Sequence, residues 1–125
     1  MKLNHDCVRE LMLYLEENLT IGDSIEINQL SLNAYTNEEL LYASIKLIEA
    51  DYLDGKAFYF IDGNCDVSVS SLTWNGHQFL DNVRDDDVWK NTKSVISKFS
   101  TVSIGIMSNV ASQVISSLIK AQLGI

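Results

Sequence analysis

The sequence predicts an α+β chain, mostly helical, in the order helix, short strand, helix, β-hairpin, helix, with a C-terminal helical extension. Three observations carry this expectation. Apolar residues recur at three- and four-residue steps in residues 4–19 and 36–53. β-Branched and aromatic residues flank Asp62-Gly63-Asn64 on both sides, as in two strands joined by a tight turn. Helical spacing then returns after residue 72. The chain has 125 residues, 46% of them hydrophobic and 21% charged, enough for one domain with a core that needs no disulfide or metal. Proline is absent, which suits a helix-rich chain.

Taken in order, Val8, Leu11, Met12, Leu15 and Leu19 form the apolar stripe of a first helix, with Asn4 as its cap and Gly22 in the turn beyond. Ile25 and Ile27 alternate with polar neighbours in "SIEINQL", which is long enough for a single edge strand. Thr36 and Glu39 make the T-x-x-E capping box of a second helix, in which Leu41, Ile45, Ile48 and Tyr52 share one face and which should end near Asp54-Gly55. The hairpin "KAFYFIDGNCDVSVSSL" follows. Thr73 then sits where a cap belongs, and Phe79, Leu80 and Val83 face inward. Gly76 inside this helix costs about 1 kcal/mol relative to alanine, which close backbone packing against the hairpin would offset. Asp85, Asp86 and Asp87 can end that helix and start another, because carboxylates are favoured at a helix N-terminus.

A hairpin that directly follows the second long helix resembles a winged helix, with residues 36–53 in the place of the recognition helix and 57–71 as the wing. "LTWNGHQFL" is similar to the "L-T-x-x-G-x-x-F-L" ending of many small winged-helix domains, where the chain leaves the wing for a closing helix. Together with "MKLNHDCVRELMLYLEENL" at the start, it resembles a family of uncharacterised small proteins carried by phages and prophages of Gram-positive bacteria. That resemblance implies a fold and a setting, and it brings no activity or catalytic residue with it. The expected organisation is a winged-helix-like domain over residues 1–85 and an amphipathic helical extension over 86–125.

Charge is segregated along the chain. Residues 1–89 hold all 17 acids against five bases, hence −12; residues 90–125 hold four lysines and no acid, hence +4, for a total of −8. A helix entering a DNA groove needs several cationic contacts to phosphate. The candidate helix offers Lys46 against Glu38, Glu39, Glu49 and Asp51, and the wing offers Lys56 against Asp62 and Asp66. Such a face disfavours DNA and suits a protein partner, so Glu38, Glu39, Glu49 and Asp51 are the candidate partner-binding residues.

The stretch Phe99 to Ile119 holds 21 residues without a charge, nine of them polar, a content too high for a confident bilayer-spanning helix. Ile104, Met107, Ala111, Val114, Leu118, Ala121 and Ile125 step by three and four, while Ser108, Ser112, Ser116 and Lys120 line the other side. Ile104, Met107, Ala111, Val114 and Leu118 are therefore the candidates for self-association in a homodimer or for docking on the body; a membrane is the alternative partner for this helix.

No catalytic, cofactor-binding or metal-binding residues are expected. His5, Cys7 and Cys65 fall in no C-x-x-C or H-x-x-x-H spacing, His77 and Asp81 form an ordinary four-step helical pair, and the three aspartates lack a spaced loop of oxygen ligands. Two cysteines and an N-terminus without an apolar leader segment suit a reducing cytoplasm. The sequence thus points to a non-enzymatic protein that acts by binding another protein. A DNA-binding transcriptional regulator is the alternative, and a membrane-acting effector is the third.

Overall fold

The computed structural model describes all residues from Met1 to Ile125. Helix α1 (His5–Asn18) starts where Asn4 Oδ1 accepts a hydrogen bond from Cys7 N at 3.1 Å, which satisfies one of the helix's open amides. Its stripe of Cys7, Val8, Leu11, Met12 and Leu15 is fully buried. Strand β1 (Ile25–Glu26) is only two residues long, and a single 3-10 turn over Ile27–Gln29 replaces the longer strand that the alternation predicts. The reason lies in Asn28. Its backbone N–H donates to Asp66 Oδ1 at 3.2 Å and its Nδ2 to the Cys65 carbonyl at 3.0 Å, so a side chain takes the place of further ladder bonds.

Helix α2 (Asn37–Glu49) opens on the predicted capping box, in which Glu39 N donates to Thr36 Oγ1 and Thr36 N donates to Glu39 Oε1, both at 3.1 Å. It ends five residues before the predicted stop. Asp51 adopts φ 62°, Asp51 N donates to Ile48 O, and Tyr52 N donates to Leu47 O at 2.9 Å, which is the Schellman arrangement with an aspartate in the left-handed position. The buried face of α2 is not the one that Leu41, Ile45, Ile48 and Tyr52 share. Leu40, Ala43, Ser44 and Leu47 are buried, while Leu41, Ile45, Ile48 and Tyr52 are only partly covered.

Strands β2 (Leu53–Tyr59) and β3 (Cys65–Leu72) form the hairpin, and the antiparallel sheet has the order β1-β3-β2. The turn closes with Phe60 N donating to Asn64 O and Gly63 N to Phe60 O, with Gly63 at φ 89° and Asn64 N donating to Asp62 Oδ1. A bulge at Asp54/Gly55 breaks the register near the start of β2. Ile27, Leu53, Val67, Val69 and Leu72 of the strand region join the α1 and α2 stripes in one core, each large side chain stabilising by roughly 1.5–3 kcal/mol on burial.

Helix α3 (Trp74–Val83) is entered through a compact corner. Thr73 N donates to Tyr52 O, Thr73 Oγ1 donates to Asp51 O at 2.6 Å, and Gly76 N donates back to Thr73 Oγ1 at 3.0 Å. The L-T-x-x-G pattern is the sequence of this corner: a buried Leu72, the Thr73 cap, and Gly76 lying directly against the Tyr52 backbone. His77 Nδ1 lies 3.6 Å from Glu16 Oε2 of α1, so its acidic neighbour is not Asp81; Asp81 instead accepts from Arg84 at 3.0 Å.

Two compact units divide the chain within α3, Met1–His77 and Gln78–Ile125. In the second, α4 (Asp86–Ile96) begins where Asp85 accepts from Val88 N at 3.0 Å, and α5 (Ile104–Leu123) begins where Ser103 accepts from Ile106 N. The chain therefore breaks over residues 97–103 and does not continue as one helix. Val88, at the start of α4, shares a shallow apolar pocket with Ile115, Leu118 and Ile119 near the end of α5, so the two helices run antiparallel. Buried in this unit are Phe79, Leu80, Val83, Val88, Trp89, Thr92, Met107 and Ala111.

Candidate partner-binding cleft

Leu41 and Ile45, from the apolar face that spacing predicts on α2, line one side of an open cleft. Leu41, Tyr42 and Ile45 on the helix face Tyr59 and Phe60 on the hairpin, with Asn28, Asn37, Glu38, Asp62, Gly63, Asn64, Cys65 and Met1 completing a hollow of about 720 Å³. One wall is tied down by amides. Asn37 Nδ2 donates to Asn28 Oδ1 at 3.1 Å, and Asn28 in turn holds Cys65, so the first turn of α2 is joined to the start of β3. Asp66 accepts from the N–H groups of both Asn28 and Val67, which makes its carboxylate part of the scaffold.

The lining holds two carboxylates, Glu38 and Asp62, and no lysine or arginine. Lys46, the one cation on α2, donates to Glu49 at 2.9 Å and lies 5.5 Å from the centre of the Tyr42 ring. The Glu49 carboxylate holds the Lys46 ammonium above its usual pKa. This cation is already partnered, and the face stays acidic.

The four acidic candidates are not brought together. Glu38 is exposed on the cleft wall in the first turn of α2. Glu39 serves the capping box, and its Oε2 accepts from Asn4 Nδ2 at 3.2 Å, linking the N-termini of α1 and α2. These bonds, that from the Thr36 backbone first, hold Glu39 below the usual carboxylate range, so its contribution to stability is present above the ordinary pKa and is lost as the pH falls through the lowered one. Glu49 lies about 16 Å from Glu38 along the helix axis, paired with Lys46. Asp51 is the left-handed cap. Because glycine adopts that conformation without a Cβ penalty, Asp51→Gly should raise the stability of the chain by about 0.5–1 kcal/mol, read from urea unfolding; a loss would mean that the carboxylate does something the cap geometry does not require.

The five tail candidates divide along α5. Met107 and Ala111 are buried, Ile104 and Val114 are half-buried, and Leu118 is exposed. The seam thus fades toward the C-terminus, where Ile119, Leu123 and Ile125 are exposed as well. Ser108, placed by spacing on the solvent side, accepts from Asn82 Nδ2 at 3.0 Å. Cys7 is buried, and burial, with Glu39 nearby, pushes its thiol up to about 11, which leaves it unreactive at neutral pH.

Sequence reasoning missed the residues that most mark this surface. Phe58, Tyr59, Phe60 and Ile61 are four consecutive large apolar residues, all exposed, with Tyr59 at 72% and Ile61 fully in solvent. The available signal was the length of the apolar run, since a half-buried strand should alternate and "AFYFI" does not.

Residues 2–103 match the family described as "Hypothetical protein (DUF2513)". The chain belongs to that family. The match ends at Ser103, the residue that caps α5. A Haemophilus influenzae protein described as "Uncharacterized protein" is 29% identical over 120 residues, covering 95% of this chain and 99% of its own length. A match of that extent takes in most of α5 as well. No solved structure matches the chain. No helix is long and apolar enough to cross a membrane.

Proposed function

We propose that this chain is a non-enzymatic, phage-associated protein with a winged-helix-like body that works by binding another protein, with α5 serving self-association or docking. Support for the winged-helix reading comes from the order of elements, helix, strand, helix and hairpin, and from the sheet order β1-β3-β2; on this reading α2 would be the recognition helix and the β2-β3 hairpin the wing. The observation that carries the choice of partner is the cleft between them. It is lined by Leu41, Tyr42, Ile45, Tyr59 and Phe60, its charged side chains are the carboxylates of Glu38 and Asp62, and the neighbouring Lys46 is already paired. Apolar and aromatic lining with a negative rim favours a polypeptide and repels phosphate.

Anisotropy titrations with labelled duplex DNA at low ionic strength test this. Neither the parent chain nor Lys46→Glu should form a complex. A salt-sensitive complex that Lys46→Glu weakens would replace this reading by the transcriptional regulator.

A further inference from the structure

The edge of the hairpin defines which partner fits. β2 is an outer strand of the sheet. Phe60 N donates to Asn64 O at 2.8 Å, so Phe60 and, two residues on, Phe58 turn their amides toward β3, opposite Asn64 and Asp66. Tyr59 and Ala57, opposite Cys65 and Val67, turn theirs away. The same alternation is visible on β3, where the Cys65 carbonyl and the Val67 N–H face the β1 side and bond Asn28 and Asp66 there. The N–H and C=O groups of Ala57 and Tyr59 therefore lie along an edge with no neighbouring strand.

Edges of this kind are ordinarily guarded by charge, proline or a bulge. Here the bulge at Asp54/Gly55 and the charge of Lys56 guard only the first half of β2. The second half carries the exposed run Phe58 to Ile61. Open backbone groups beside exposed aromatic side chains are the combination that strand addition uses, since the backbone supplies affinity and the neighbouring pockets supply selectivity.

Charge selects the occupant. Glu38 and Asp62 are the charged side chains of the adjoining cleft, outnumbering the single amino-terminal charge of Met1, and Lys46 is bound to Glu49. A second copy of this face would repel the first, as would an anionic bilayer or a nucleic acid, whereas a cationic polypeptide is complementary. We infer that the open edge of β2 at Ala57 and Tyr59 accepts a short extended segment of a partner protein as a fourth strand, with a lysine or arginine of that segment against Glu38 and Asp62 and an apolar side chain between Tyr42, Ile45 and Tyr59. This rests on the protein-binding reading above and specifies the partner's chemistry.

The test uses the full chain. Short random peptides displayed on yeast are selected against it, and the consensus peptide is synthesised and titrated into the isotope-labelled protein. A consensus that combines a basic with an aromatic or branched residue is expected, with amide shifts at Ala57, Tyr59, Tyr42 and Ile45. Ala57→Pro removes only an outward-facing N–H, which an edge strand tolerates, and should weaken binding by about tenfold or more. Glu38→Lys should weaken it and flatten its salt dependence. Methylating alternate backbone nitrogens of the peptide asks the same question without altering the protein, and one of the two methylation registers should abolish binding. An acidic consensus, no selected peptide, shifts confined to Gln78–Ile125, or indifference to both methylation registers overturns the inference. Such a failure without duplex binding leaves the protein-binding reading standing, whereas duplex binding removes both.

Discussion

Gly76→Ala should destabilise the Met1–His77 unit by about 3 kcal/mol, a large share of the stability of an ordinary domain. The expectation opposes helix propensity, which favours alanine over glycine by about 1 kcal/mol in a helix interior. Gly76 lies in α3 with an ordinary negative φ, so backbone freedom is not why glycine stands there. What decides is space. A Cβ at this position would overlap the backbone carbonyl oxygen of Tyr52 and come within 3.4 Å of Met12 Cε. The Tyr52 carbonyl cannot retreat cheaply, because it accepts from Thr73 N, its own N–H closes the cap of α2, and Thr73 Oγ1 grips Asp51 next door. Gly105, in the first turn of α5, is the control, since a Cβ there would meet nothing closer than Ser103 Oγ at 3.8 Å. Gly105→Ala should be neutral or stabilising by up to about 1 kcal/mol. Urea unfolding followed by circular dichroism separates the two. A Gly76→Ala chain as stable as its parent would mean that α3 does not sit against the α2–β2 corner.

The order of elements was legible because each start is written locally. Asn4, Thr36 with Glu39, Thr73 and Asp85 are capping residues whose side chains accept from helix amides as their spacing predicts. The stops were harder to read. α2 ends at Glu49 because Asp51 takes a left-handed conformation, and aspartate signals that far less strongly than glycine. Which face of α2 packs inward is not legible from spacing, for a physical reason. The helix is apolar on two sides, and the inward side is the one with small residues, Ala43 and Ser44, that allow close packing, with the Ser44 hydroxyl satisfied by the Leu41 carbonyl at 2.8 Å. The larger Leu41 and Ile45 share a face by spacing, and that face borders the cleft. The acidic candidates suffered from the same blindness to partners. Glu39 and Glu49 are charges on paper, but one closes a capping box and the other holds Lys46. Among those four, Glu38 alone belongs to the cleft.

Leu118→Glu with Ile119→Glu should abolish self-association of the full chain, converting a dimer into a monomer by sedimentation equilibrium, with the dissociation constant raised by about a hundredfold or more. The argument begins with length. At 20 residues α5 spans about 30 Å, whereas α4 at 11 residues spans about 16 Å, so α4 can cover little more than half of its partner. Met107 and Ala111 lie in the covered half. Beyond them Leu118, Ile119, Leu123 and Ile125 expose apolar side chains, Ile125 at 82%, and Leu118 and Ile119 border, with Asp85, Val88, Ile115 and Gln122, a hollow of about 410 Å³. Apolar side chains clustered in this way mark an interaction surface more often than a bare one. Since Lys120 is the only charge in α5, two such ends can meet without the repulsion that the acidic body would impose. Both substituted residues are already more than half exposed, so the glutamates should not disturb the α4–α5 pair itself, and an unchanged helical circular dichroism signal verifies that. A parent chain that sediments as a monomer at high concentration sinks the self-association reading. If that same chain floats with lipid vesicles and the double variant does not, the exposed end of α5 serves a bilayer surface, where it would lie in the interface rather than cross it.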